Sequence, residues 1–209
     1  MKKSICLALA LLLAPLSSAA IAPALAGEAG DAVFAERGPW SLGDAQIVWT
    51  ETVSGPEAEG FRAIDDGSVT LTETIDASDG KPVLQINHDE NGLERRIGPF
   101  PISGGDPVLT FFLERTARDM AALTGGSPFY IRNRMKDALF GAGSLTRDGG
   151  TAEARFKPFE NDPNADRMKG FETLELVFTM GEDPKVPIRE LLARTEGDSP
   201  GYVNHLVMQ

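Results

Sequence analysis

The chain predicts an α+β fold, an antiparallel and curved β-sheet with a central helix pair packed on one face. Three observations lead there. Segments with polar–apolar alternation lie towards both ends of the 209 residues. Two helical stretches stand together in the middle, each opened by a capping residue and proline and closed by glycine. No strand–helix–strand rhythm of a parallel sheet runs through the chain.

Residues 1–26 read as a secretory leader. Met1-Lys2-Lys3 is positive, the run from Ile5 to Leu16 is uncharged and mostly Ala and Leu, and Ala24-Leu25-Ala26 supplies small residues before Gly27. Pro15, Ser17, Ser18 and Pro23 interrupt the stretch, so cleavage after Ala26 is expected rather than a membrane anchor. Cys6, the only cysteine, lies inside this leader. The remaining 183 residues, 27–209, are then expected to form one domain with no disulfide, thiolate metal site or cysteine nucleophile. No cysteine stands at the cut to carry a lipid, so a lipoprotein is not expected.

From Gly27 to Pro39 the chain is small and polar, a loose start. Gly43–Val53 is rich in β-formers, with Ile47, Trp49 and Val53 on one alternation. Ser68–Ile75 alternates Val69, Leu71 and Ile75 against threonines, the habit of an antiparallel strand with one wet face. Val83–His88 gives a third strand with Leu84, Ile86 and His88 on one face. Asn91-Gly92 then turns the chain into a short fourth strand over Leu93–Ile97.

Asp106-Pro107 starts a helix, because Asp accepts from a free first-turn N–H and Pro fits the first helical position. Leu109, Phe112, Leu113, Thr116, Met120 and Leu123 recur at helical spacing, with Glu114, Arg115, Arg118 and Asp119 expected on the other side. Gly125 ends this helix and Ser127-Pro128 starts the next, whose buried stripe is Ile131, Met135, Ala138 and Leu139 before Gly141. Thr151–Phe159 and Gly170–Met180 follow as partner strands. Val186-Pro187 is expected to open a short helix through Arg194, and Tyr202–Met208 a last strand. The plan of helices over a curved sheet is similar to that of exported lipoprotein and lipid carriers, a likeness of architecture that rests on no motif of this sequence.

The formal charge is −11, and loss of Lys2 and Lys3 with the leader makes it −13. That argues against nucleic acid, or an anionic membrane, as a partner for the surface as a whole. The charge is uneven: residues 27–92 carry −11 and residues 137–209 carry −5, but residues 93–136 carry +3. Arg95, Arg96, Arg115, Arg118, Arg132, Arg134 and Lys136 make this basic island a candidate anion site, unless the cations simply pair with acidic neighbours. Phe100, Phe111, Phe112, Phe129, Tyr130 and Phe140 concentrate in the same segment, as core or as pocket lining.

Other constellations carry less. His88 and His205 are the two histidines, and the chain has no G-x-S-x-G elbow to accompany them. Asp162, Asn164 and Asp166 alternate as calcium ligands do, but Arg167 replaces the required glycine and Thr173 the required glutamate. A turn built from Asn, Asp and Pro explains that segment as well. No cofactor is expected. The resulting expectation is an exported, non-enzymatic periplasmic or secreted protein that binds an apolar or amphiphilic anionic ligand, or an envelope partner. A small hydrolase using His88 or His205 is the alternative, and a purely structural module the third possibility.

Overall fold

The computed structural model describes residues 27–37, 39–141, 143–183, 185–197 and 201–209. The expected leader and its cut lie outside the described residues. A short helix α1 (Glu28–Val33) precedes four strands, β1 (Gln46–Ser54), β2 (Ile64–Ile75), β3 (Pro82–Glu90) and β4 (Leu93–Pro101). Two helices follow, α2 (Pro107–Thr124) and α3 (Pro128–Phe140), then β5 (Ser144–Asp148), β6 (Thr151–Phe156), β7 (Glu175–Gly181), β8 (Glu190–Arg194) and β9 (Val203–Met208). The strands form one nine-stranded sheet in the order β4-β3-β2-β1-β9-β8-β7-β6-β5, with every neighbouring pair antiparallel. The last strand thus joins the two halves at the centre. All these elements lie between Glu28 and Met208, so a chain beginning at Gly27 contains the whole described fold.

The helices α2 and α3 cover one face of this sheet. Their termini follow the sequence signals closely. The Asp106 carboxylate accepts from the amides of Val108 at 2.9 Å and Leu109 at 3.1 Å, and Gly125 closes α2 in the left-handed conformation with φ 75°. Ser127 caps α3 in the same manner. The buried stripe of α2, including Leu109, Phe112, Met120 and Leu123, packs onto inward residues of the sheet. Phe112 meets Phe178 of β7 edge-on, with ring centroids 6.0 Å apart. Burying one such ring contributes about 1.5–3 kcal/mol. Beside α3, Gly30 of α1 lies so close to the Leu139 carbonyl that a Cβ would stand 2.2 Å from it, so only glycine lets α1 approach there.

Several expectations need correction. Residues 190–194 form β8 rather than the end of a helix. Glu-Leu-Leu-Ala-Arg is a helix-favouring string, but pairing with β7 and β9 buries Leu191 and Ala193 and overrides that preference. The loose start contains α1, and β5 pairs with β6 across Gly149-Gly150 where no strand was expected. Ile75 ends β2 exposed, beyond the cover of the helices. Asp119 points inward and is buried, although its neighbours Arg118 and Glu114 face water or the surface.

Candidate functional site

The residues of greatest chemical interest gather where α2 passes over the β3–β4 margin of the sheet. On β3 the alternation turns Leu84, Ile86, His88 and Glu90 inward and Asn87 and Asp89 outward. Asn91 and Gly92 both take positive φ, 54° and 86°, so the hairpin closes and β4 pairs along β3. That pairing sets Arg95 opposite His88 and Arg96 opposite Asn87. From the other side, α2 contributes Phe111, Glu114, Arg115 and Arg118.

Between them opens a cleft of about 340 Å³. Ile97, Phe100 and Phe111 give it an apolar lining, and His88 reaches it from β3. Arg95, Arg96, Arg115 and Arg118 surround it. The Phe111 ring meets the His88 imidazole edge-on at 4.9 Å. The sequence-stressed aromatics therefore divide. Phe112 is core, Phe100 and Phe111 line the cleft, and Phe129 and Phe140 project into solvent.

Beneath the cleft lies a buried polar network. His88 Nε2 and Glu51 Oε2 are 2.5 Å apart, and both residues are buried. Glu51 stands on β1, two strands from His88. It reaches across because the intervening inward position on β2 is Gly67, paired with Glu51 on one side and Glu90 on the other. The Glu90 carboxylate accepts from Arg115 at 2.9 Å and pairs with Arg95. Arg115 Nε also donates to both oxygens of Asp119 at 3.1 Å, and the Tyr202 hydroxyl donates to Asp119 at 2.9 Å. Asn204 donates to Thr116 at 3.2 Å. Among the described residues, Glu51 Oε1 and Asn204 Oδ1 accept from no group.

Burial sets the protonation behaviour of this network. It pushes Asp119 up to about 6, although Arg115 and Tyr202 favour the charged form. Burial also acts to raise Glu90, but the guanidiniums of Arg115 and Arg95 outweigh it and hold Glu90 below the usual carboxylate range. Tyr202 is pushed well above an ordinary phenol by burial and then by the neighbouring Asp119. The two buried carboxylates thus part: the guanidiniums hold Glu90 low, and burial holds Asp119 high.

The basic island disperses over four places. Arg95, Arg96, Arg115 and Arg118 surround the cleft. Arg132 forks onto Glu114 with two contacts of 2.7 Å, and Glu114 also takes Arg118. Arg134 pairs with Asp162 at 2.7 Å. Lys136 borders a second, apolar groove of about 270 Å³ formed with Leu113, Met135, Leu139 and the stacked rings of Phe34 and Phe140. Thr110 and Glu114 line both the cleft and this groove, so the two adjoin on α2.

The remaining candidates are held elsewhere. Asp162 is buried and turned towards α3, accepting from Tyr130 at 2.8 Å, Arg134 and the Asn164 amide. Asn164 donates to the Tyr130 hydroxyl at 3.0 Å, and Asp166 is exposed. No group of three or more His, Cys, Asp or Glu is placed to hold a metal among the described residues. His205 lies on the outer face of β9, 2.7 Å from Glu190, whose carboxylate also accepts from Thr179. The histidine partners found here are glutamates, one for each ring. No described helix is long and apolar enough to cross a membrane.

Sequence reasoning missed Glu51, Asp119 and Tyr202 as members of the site. Glu51 carried a usable signal, since it shares the alternation of Trp49 and Val53. Asp119 carried another, standing one turn after Arg115 and one before Leu123. No family model matches the chain, and no curated protein matches it.

Proposed function

We propose that the chain is an exported, non-enzymatic binding protein that holds an anionic amphiphile in the cleft between α2 and the β3–β4 margin. The observation that carries this reading is the composition of one cavity: an apolar lining from Ile97, Phe100 and Phe111 with Arg95, Arg96 and Arg118 around it. An acyl chain gains by leaving water against the rings, and its carboxylate or phosphate head finds guanidiniums. The volume of about 340 Å³ falls at the lower end of small-molecule sites, about 300–1,000 Å³. The secretory pattern of residues 1–26 supports a place in the periplasm or extracellular medium.

The test is a calorimetric titration of the chain from Gly27 with laurate below its micelle concentration. Phe100→Asp should weaken binding about tenfold or more, because it puts a carboxylate where the chain lies. Arg96→Glu with Arg118→Glu should weaken it as well and reverse its salt dependence. Arg147→Glu, on distant β5, should leave it unchanged. Equal affinity in all four proteins would remove the cleft from the functional reading.

A second reading is a small hydrolase, supported by the His88–Glu51 pair lying directly under the cleft. There His88 would act as base towards water, with Glu51 orienting the ring. Ester turnover that is lost in His88→Gln while laurate binding persists would favour the enzyme. Binding without turnover favours the carrier.

A further inference from the structure

Helix α3 presents to solvent a face that its fold does not use. Ile131, Met135 and Leu139 bury one side, and the opposite side carries Phe129, Asn133, Lys136, Asp137 and Phe140, with Arg132 flanking. Phe129 and Phe140 are 72% and 61% exposed. Eleven residues separate them, which returns the helix to the same side about 16 Å further along its axis. Phe34 of α1 stacks on Phe140 with centroids 4.8 Å apart and is itself 39% exposed, so the apolar end is a pair of rings.

We propose that this face docks the protein on the surface of an anionic phospholipid bilayer. Phe129, Phe140 and Phe34 enter the headgroup layer, and Lys136 meets lipid phosphates. Aromatic rings with cations between them on one side of a helix are the pattern of a helix that lies in the membrane–water interface. The charge distribution gives the orientation. The chain carries −11 overall, but here Arg118, Arg132 and Lys136 stand against Glu114 and Asp137, with Arg134 already paired to Asp162. An anionic surface therefore repels most of the molecule and attracts this helix. A second copy fits the face less well, since a two-fold pairing would set Arg132 and Lys136 near their own counterparts. The apolar groove beside Phe34 and Phe140 adjoins the cleft through Thr110 and Glu114, so docking would also bring the binding cavity close to lipid. The docking proposal goes beyond the cleft reading and stands without it.

The experiment is co-sedimentation of the chain from Gly27 with phosphatidylcholine vesicles, with and without phosphatidylglycerol, alongside a laurate titration of the same samples. The expected result is binding to the phosphatidylglycerol vesicles that falls about tenfold or more in Phe129→Ser with Phe140→Ser. Lys136→Glu should weaken it too, and laurate affinity should be unchanged in these variants. In a second measurement, the indole introduced by Phe129→Trp should shift to the blue on vesicles and be quenched by brominated lipid. Circular dichroism checks that each variant is folded. The proposal is overturned if the parent protein ignores all vesicles, if the double variant binds as well as the parent, or if the indole stays water-exposed. It is overturned equally if the face proves to join two copies, seen as a dimer that the double variant dissociates without any vesicle binding. Loss of vesicle binding with laurate retained separates this surface from the cleft.

Discussion

The two wings of the sheet are built alike and filled differently. In the β5–β8 wing the strands' own inward residues make a dry face: Ala152, Ala154, Phe156, Leu176, Phe178, Met180 and Leu191 are all buried. In the β1–β4 wing the inward face mixes Trp49, Val69, Leu84 and Ile86 with Glu51, His88 and Glu90. The same helix, α2, covers both. Phe112 seals it against Phe178 on the dry side, whereas Arg115 ties it to Glu90 on the other. Apolar packing has no directional demands and closes without gaps. Charged partners require fixed geometry, and the cleft opens beside them. The wing that contributes most dependable stability is therefore not the wing that carries the candidate site.

The largest effect should come from the dry wing. Phe178→Ala removes a ring that touches both Phe112 and Phe156, and a urea melt should show a loss of about 4 kcal/mol. A loss below about 1 kcal/mol would mean that this wing is less tightly packed than its burial implies. Arg115→Met should follow, at about 3 kcal/mol, because it takes the buried cation from two buried carboxylates, leaving Glu90 only half-exposed or exposed arginines and Asp119 only the Tyr202 hydroxyl. If it proves neutral, the polar network contributes nothing net and the two wings are energetically equivalent.

Smaller effects come from titration. Asp119 is raised in the folded state to about 6, so its contribution is present in full below the ordinary carboxylate range. That contribution is lost as pH rises through about 6, by up to roughly 3 kcal/mol. Glu90, held low, contributes in the opposite sense: its share is present above the unfolded carboxylate range and is lost on acidification through its lowered value. Stability measured against pH should fall from mildly acidic to neutral conditions, and Asp119→Asn should flatten that fall. An unchanged slope would show that Asp119 titrates normally. The smallest effect is expected at Arg132→Ala, whose fork onto Glu114 is exposed; the melting temperature should not move measurably.

The sequence was most legible where local chemistry decides. Capping at Asp106 and Ser127, the left-handed Gly125 and the Asn91-Gly92 turn each act within a few residues, and each marks an element that the structure contains. Alternation likewise brought Leu84, Ile86 and His88 to one face. It was least legible where a distant partner decides. Glu51 is tolerated inside because His88 lies two strands away, and Asp119 because Tyr202 arrives 83 residues later. Periodicity assigns a lone Asp to water when its partners are out of view. The β8 string reads as helix for the same reason, since its two flanking strands outweigh its local preference. Of the candidate site, Arg95, Arg96 and Phe111 were legible as composition, and their convergence with Arg118 on one cavity required the register of β3 with β4 and the placement of α2.

The most direct measurement is the set of intermolecular nuclear Overhauser effects between laurate and the chain from Gly27. The acyl protons should contact the rings of Phe100 and Phe111 and the methyls of Ile97, and the Arg95 and Arg118 side-chain resonances should shift with the carboxylate. Contacts confined to residues of the dry wing, or an absence of contacts at concentrations where the ligand saturates, would contradict a binding site beside the charged wing of the sheet.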